Sequence, residues 1–182
     1  MAKNKMNKTR SLALCGILSA LSVVTLYLSS VFSVLDLTLA GITLFIMLFA
    51  ILEIGGKYPL IMYAVVSVIS IIILPQKFTS VVYALFFGWY PSAKLYFERF
   101  KPFVSRILKI LCFNASYALL LVVCTHLLGL NYTGALQTNI YYAVMFILGN
   151  IAFIMIDIML KLVIIVYRLK LRKQLGIDKL LK

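Results

Sequence analysis

Residues 58–74 read Tyr-Pro-Leu-Ile-Met-Tyr-Ala-Val-Val-Ser-Val-Ile-Ser-Ile-Ile-Ile-Leu, with Lys57 before them and Pro75-Gln76-Lys77 after. A strand of a membrane barrel alternates polar and apolar residues over about ten positions. Val65 to Leu74 is instead almost continuously apolar, and so is Ala118 to Val123. Such a run suits a helix in hydrocarbon, where about 20 apolar residues rising about 1.5 Å each cross a core about 30 Å thick.

Cutting the remaining chain at charges and turn residues gives comparable runs at about 11–34, 37–52, 78–94, 107–130 and 138–167. The breaks are Asp36, Glu53-Ile-Gly-Gly-Lys57, Pro75-Gln-Lys77, the basic stretch from Ala93 to Arg106, and Asn131-Tyr-Thr-Gly134. Composition agrees. Of 182 residues 64% are hydrophobic and 13% charged, against about 25% charged in an average soluble domain. A soluble chain of this length needs a larger polar skin. The expected fold is therefore all-α: one polytopic membrane domain over residues 1–182, a bundle of six transmembrane helices, with 168–182 as a basic tail.

Orientation follows from where the cations fall. There are 18 Lys and Arg against 5 Asp and Glu. In a six-span topology one face receives Lys3, Lys5, Lys8 and Arg10, then Lys57, then Lys94, Arg99, Lys101, Arg106 and Lys109, then Arg168, Lys170, Arg172, Lys173, Lys179 and Lys182. The other face receives only Lys77. Lys161 lies inside the last run near its inner end, where its stem can snorkel. Cations near span ends stay cytoplasmic, so both termini are expected inside, in a multi-pass protein of the cell membrane, with the lipid bilayer as its first partner. Nucleic-acid binding is not expected, because that chemistry gathers basic residues on one soluble face or arm rather than along span borders. The first apolar run, about 24 residues, is also long for a cleaved secretory signal.

Polar groups inside spans are costly, so they are the places to look for function. The sequence has no carboxylate pair, metal-ligand cluster, nucleophile beside a base, or phosphate-cradling glycine loop. No catalytic residue, metal site or cofactor is expected, and the protein reads as a non-enzyme. Cys15, Cys112 and Cys124 read as small buried hydrophobes. Asp157 is the one acid deep within a span. Lys161, one helical turn on, reads as its local ion-pair partner. Asn114 and Asn150 read as bonds between helices. Pro91, after Gly88-Trp89-Tyr90, reads as part of an interfacial anchor, and Lys94 to Lys109 as a connection whose cations match anionic lipid.

Toward the outer side lie Thr25, Tyr27, Ser29, Ser30, Ser67, Ser70, Thr79, Ser80, Tyr83, Thr125, His126 and the run Gln137-Thr-Asn139-Ile-Tyr-Tyr142. Hydroxyls, amides and rings from several spans at one depth can line an outward-facing pocket for a small, partly aromatic molecule. Tyr83, His126, Gln137, Asn139 and Tyr142 are the candidate substrate-binding residues. Singly, each also fits helix-to-helix bonding or an interfacial belt. On the first span, Ala13, Gly16 and Ala20 form a stripe of small residues that lets another helix approach closely, within the bundle or from a separate subunit.

Six short spans with both ends inside, a chain just under 200 residues, and a basic amino terminus running into Thr9-Arg-Ser-Leu-Ala-Leu-Cys-Gly-Ile-Leu-Ser-Ala-Leu-Ser22 resemble the substrate-binding S component of energy-coupling factor vitamin transporters. The resemblance implies capture of a vitamin-like molecule from outside. It also implies association with a transmembrane coupling subunit and a pair of cytoplasmic ATPases, with Ala13, Gly16 and Ala20 facing the coupling subunit. The first outer connection, at Asp36, is shorter than the capping loop of many members. The other reading is a membrane scaffold or assembly subunit that holds partners with its basic loops.

Overall fold

The computed structural model describes residues 8–32, 36–55, 57–126 and 138–167, with 125–126 and 138–143 described by backbone alone. These residues form helices and no strand. In chain order the helices are α1 (Lys8–Val31), α2 (Asp36–Glu53), α3 (Tyr58–Ile73), α4 (Lys77–Val82), a π-helical turn (Tyr83–Phe87), α5 (Tyr90–Phe97), α6 (Pro102–His126) and α7 (Thr138–Val166). Among them α1, α2, α6 and α7 are long and apolar enough to cross a membrane, and α3 is a shorter apolar helix of 16 residues. The tail 168–182 lies outside the described residues.

Local chemistry sets the helix ends. Gly55, with φ 61°, takes the left-handed conformation just beyond α2, and Ile54 N–H donates to the Ala50 carbonyl at 2.9 Å. Pro59 falls in the first turn of α3, where a missing N–H costs nothing. The helix stops at Leu74, which is extended because Pro75 follows it. Lys77 Nζ then donates to the freed carbonyls of Ile71 at 2.7 Å and Leu74 at 2.9 Å.

The expected run 78–94 is not one straight helix. Gly88 N–H reaches back five residues to the Tyr83 carbonyl at 2.8 Å, and a new helix starts at Tyr90 with Pro91 in its first turn. A proline has no N–H to continue the ladder. The Trp89 indole N–H supplies one of the missing donors, to the Leu85 carbonyl at 2.6 Å. Gly88 is required by a close approach: a Cβ there would lie 2.4 Å from Cδ2 of Tyr63.

The core runs through α1 to α5 and continues into α6 and α7. Leu26, Leu44, Met47, Leu48, Met62, Val66, Tyr83, Tyr90 and Leu160 are fully buried. Around it stand large apolar side chains such as Ile72, Leu111 and Ile17, 71%, 67% and 66% exposed. A surface of that kind suits hydrocarbon rather than water.

Candidate functional site

Three features gather the polar and open parts of the molecule. The first is an ionic cluster where α5, α6 and α7 meet. Helices α6 and α7 run antiparallel: Phe113 stacks on Phe153 with centroids 4.5 Å apart, and Asn150 Nδ2 donates to Asn114 Oδ1 at 3.3 Å. That bond joins the two asparagines between helices, as their depth suggested. Phe86 and Tyr90 extend the aromatic column, Phe86 lying 5.3 Å from Phe113 and Tyr90 5.3 Å from Phe153.

One helical turn beyond three of these four rings sits a charge. Lys94 follows Tyr90, Asp157 follows Phe153, and Lys109 precedes Phe113. The three charges converge. Lys94, fully buried, donates to Asp157 Oδ1 and, at 2.8 Å, to the Asp157 carbonyl. Lys109 donates to Asp157 Oδ2 at 3.2 Å and to Glu98 Oε1 at 3.1 Å. Glu98 also pairs with Lys94 at 3.4 Å, and the Tyr90 hydroxyl donates to Asp157 Oδ1 at 2.7 Å. Two lysines thus balance two carboxylates. The reading of Asp157 with Lys161 is corrected: Lys161 is exposed, and Asp157 is held from α5 and α6. Lys94 and Lys109, read as loop cations, are buried and committed inward.

The second feature lies on other helices, where α1, α2, α3 and α4 meet. Asp36 opens α2, and its Oδ1 accepts from Ser29 at 3.1 Å and from Thr79 at 2.8 Å, tying α1, α2 and α4. Ser80 donates to the Ser70 carbonyl at 3.0 Å, which ties α4 to α3. Other hydroxyls bond back within their own helix, Thr25 to Leu21 at 2.8 Å, Ser30 to Tyr27 at 3.1 Å and Ser70 to Ser67 at 3.0 Å. Ser29, Thr79 and Ser80 thus join helices, and Thr25, Ser30 and Ser70 are satisfied within their own.

The third feature is an open face on α1. Ala13, Gly16 and Ala20 are exposed, and nothing lies within 4 Å of a Cβ built on Gly16. Gly16, Ser19, Ala20 and Val23 border Val65 and Ile69 of α3 in an apolar groove of about 400 Å³. Among the described residues no helix covers the small-residue stripe.

Of the candidate substrate-binding residues, Tyr83 is fully buried in the π-helical turn, its ring 6.3 Å from that of Tyr63. Its hydroxyl and that of Ser67 have no hydrogen-bond partner among the described residues. His126 ends α6, and Asn139 and Tyr142 lie in the first turns of α7; their side chains, like all of Gln137, lie outside what is described. Among the described residues no three His, Cys, Asp or Glu side chains converge on one point as metal ligands would.

The sequence shows each member of the ionic cluster only within its own span, so their convergence is not legible there. The available signal was the repeated spacing of four between a ring and a charge, in Tyr90/Lys94, Lys109/Phe113 and Phe153/Asp157. Comparison with protein-family models, with characterised proteins and with solved structures finds no match to this chain.

Proposed function

We propose that the chain crosses the cell membrane six times with both termini in the cytoplasm, and that it is the substrate-capture subunit of an importer of the energy-coupling factor type. In this role it binds a small vitamin-like molecule from the outer side and hands it to a transmembrane coupling subunit driven by separate ATPases. The chain itself performs no chemistry.

The observation that carries this reading is the α1 face. A helix that exposes Ala13, Gly16 and Ala20 beside a groove leaves room for the close backbone approach of a second membrane helix. Topology supports it as well. Helices α3 and α4 are antiparallel, Tyr63 donating to the Ala84 carbonyl at 2.8 Å, and Phe49 of α2 meets Tyr167 beyond α7 with centroids 5.8 Å apart. Lys57, Lys94, Arg99, Lys101, Arg106 and Lys109 accordingly gather at one end and Lys77 at the other, the asymmetry that keeps cations in the cytoplasm. Tyr83, His126, Gln137, Asn139 and Tyr142 are the residues we assign to the cargo pocket.

The filled interior around Tyr83 favours a second reading, a scaffold subunit without cargo. Mass spectrometry of small molecules released from the detergent-purified protein separates the two. Capture predicts one stoichiometric organic molecule, lost in the His126→Ala and Asn139→Ala variants. A scaffold releases none, with or without those substitutions.

A further inference from the structure

Among the described residues, the turn between α5 and α6 carries a charge imbalance. Glu98, the one acid between Lys94 and Lys109, pairs with both of those buried lysines. Asp157, the other acid nearby, is used by the same two. Arg99, Lys101 and Arg106 are left exposed, with no carboxylate in ion-pair range among the described residues. Three cations without a counter-charge repel one another and need anions from outside.

The apolar side chains beside them say which anions. Tyr96, Phe100 and Phe103 are 57%, 47% and 74% exposed. The Tyr96 and Phe100 rings meet at 5.8 Å, and the Arg99 guanidinium lies 5.9 Å from the Tyr96 centroid. Phe103 and Arg106, three apart on α6, share a face. A soluble acidic partner would not require three exposed rings among the cations. A membrane surface would, since rings rest at headgroup depth while guanidinium and ammonium groups reach phosphate.

We propose that the α5–α6 turn is an anionic-phospholipid site, in which Arg99, Lys101 and Arg106 hold the headgroup phosphate and Tyr96, Phe100 and Phe103 lie against the first acyl carbons. The site serves a capture subunit and a scaffold equally, so it stands or falls separately from the function proposed above. Its role is to fix the depth of the turn that overlies the ionic cluster.

The test uses the full chain in nanodiscs of phosphatidylcholine containing a minority of phosphatidylglycerol, followed by native mass spectrometry of the lipid that stays bound. Phosphatidylglycerol is expected to be retained over phosphatidylcholine. The triple variant Arg99→Gln/Lys101→Gln/Arg106→Gln is expected to retain it about a hundredfold less, at roughly fivefold per cation. Each single substitution, expected to lose roughly fivefold, keeps the test decisive should the triple variant fail to insert. Lys77→Gln, at the opposite end, is expected to change nothing. Equal retention by wild type and triple variant would overturn the site. So would displacement of the lipid by inorganic phosphate, which would mark a soluble-anion site, or an unchanged lipid profile with loss of a bound protein.

Discussion

Asp36 and Asp157 each join three helices, and they do it with different chemistry. Asp36 accepts two hydroxyls and has no cation on it among the described residues; Asp157 is gripped by two lysines and a tyrosine. Position explains the difference. Asp36 is the first residue of α2, where unpaired backbone N–H groups favour a negative charge. Asp157 lies nine residues before the end of α7, about 14 Å along the axis. A carboxylate that deep is stable only when neutralised on the spot. One acid is held by its place at a helix end, the other by its neighbours.

Substitution by asparagine separates the two. Asp157→Asn keeps the shape but leaves Lys94 and Lys109 with one carboxylate between them. A loss of about 3–5 kcal/mol is expected, read as a lowered melting temperature in detergent. Removing the surplus cation as well, in Asp157→Asn/Lys109→Met, should recover part of it; a double variant worse than the single would show that the charges are not coupled. Asp36→Asn retains an oxygen for both hydroxyls, because Ser29 and Thr79 donate to the same Oδ1. It should cost well under 1 kcal/mol, whereas Asp36→Ala should cost about 2 kcal/mol.

Between these two ends stands the Gly88 contact. Gly88→Ala drives a methyl into the Tyr63 ring and should lose about 1–3 kcal/mol, relieved in Gly88→Ala/Tyr63→Leu. The smallest effect belongs to Tyr83→Phe. Deleting a buried hydroxyl that has no partner among the described residues should leave the melting temperature unchanged or slightly raised. Loss of a co-purifying small molecule in that variant would mark Tyr83 as part of the cargo site.

Apolar runs and their breaks were legible because hydrocarbon admits little else. The run at 58–74 became α3 at Tyr58–Ile73, and 37–52 became α2 at Asp36–Glu53. The run expected from 107 begins at Pro102 instead. Proline suits the first turn of a helix, so Pro102 opens α6 ahead of the exposed Arg106 at which the run is cut; within that run, the pairing of Lys109 with Glu98 and Asp157 is invisible in sequence. The same blindness assigned Lys161 to Asp157, since spacing within one helix is visible in sequence and convergence between helices is not. Hydroxyls were legible as polar groups but not as donors to a named acceptor, so Ser29 and Thr79 read as pocket lining when they bind Asp36. The small stripe on α1 was visible as a pattern; that it stays uncovered required the packing of α1 on α3.

The capture proposal rests on that uncovered stripe, and Gly16→Leu examines it cleanly, because a Cβ at that position meets no neighbour within 4 Å among the described residues. Co-expression with a coupling subunit and its ATPase pair, followed by affinity purification, is the measurement. The account predicts that the wild-type chain elutes with the coupling subunit while Gly16→Leu elutes alone, folded and with its cargo. Elution of Gly16→Leu with an undiminished amount of coupling subunit would contradict it.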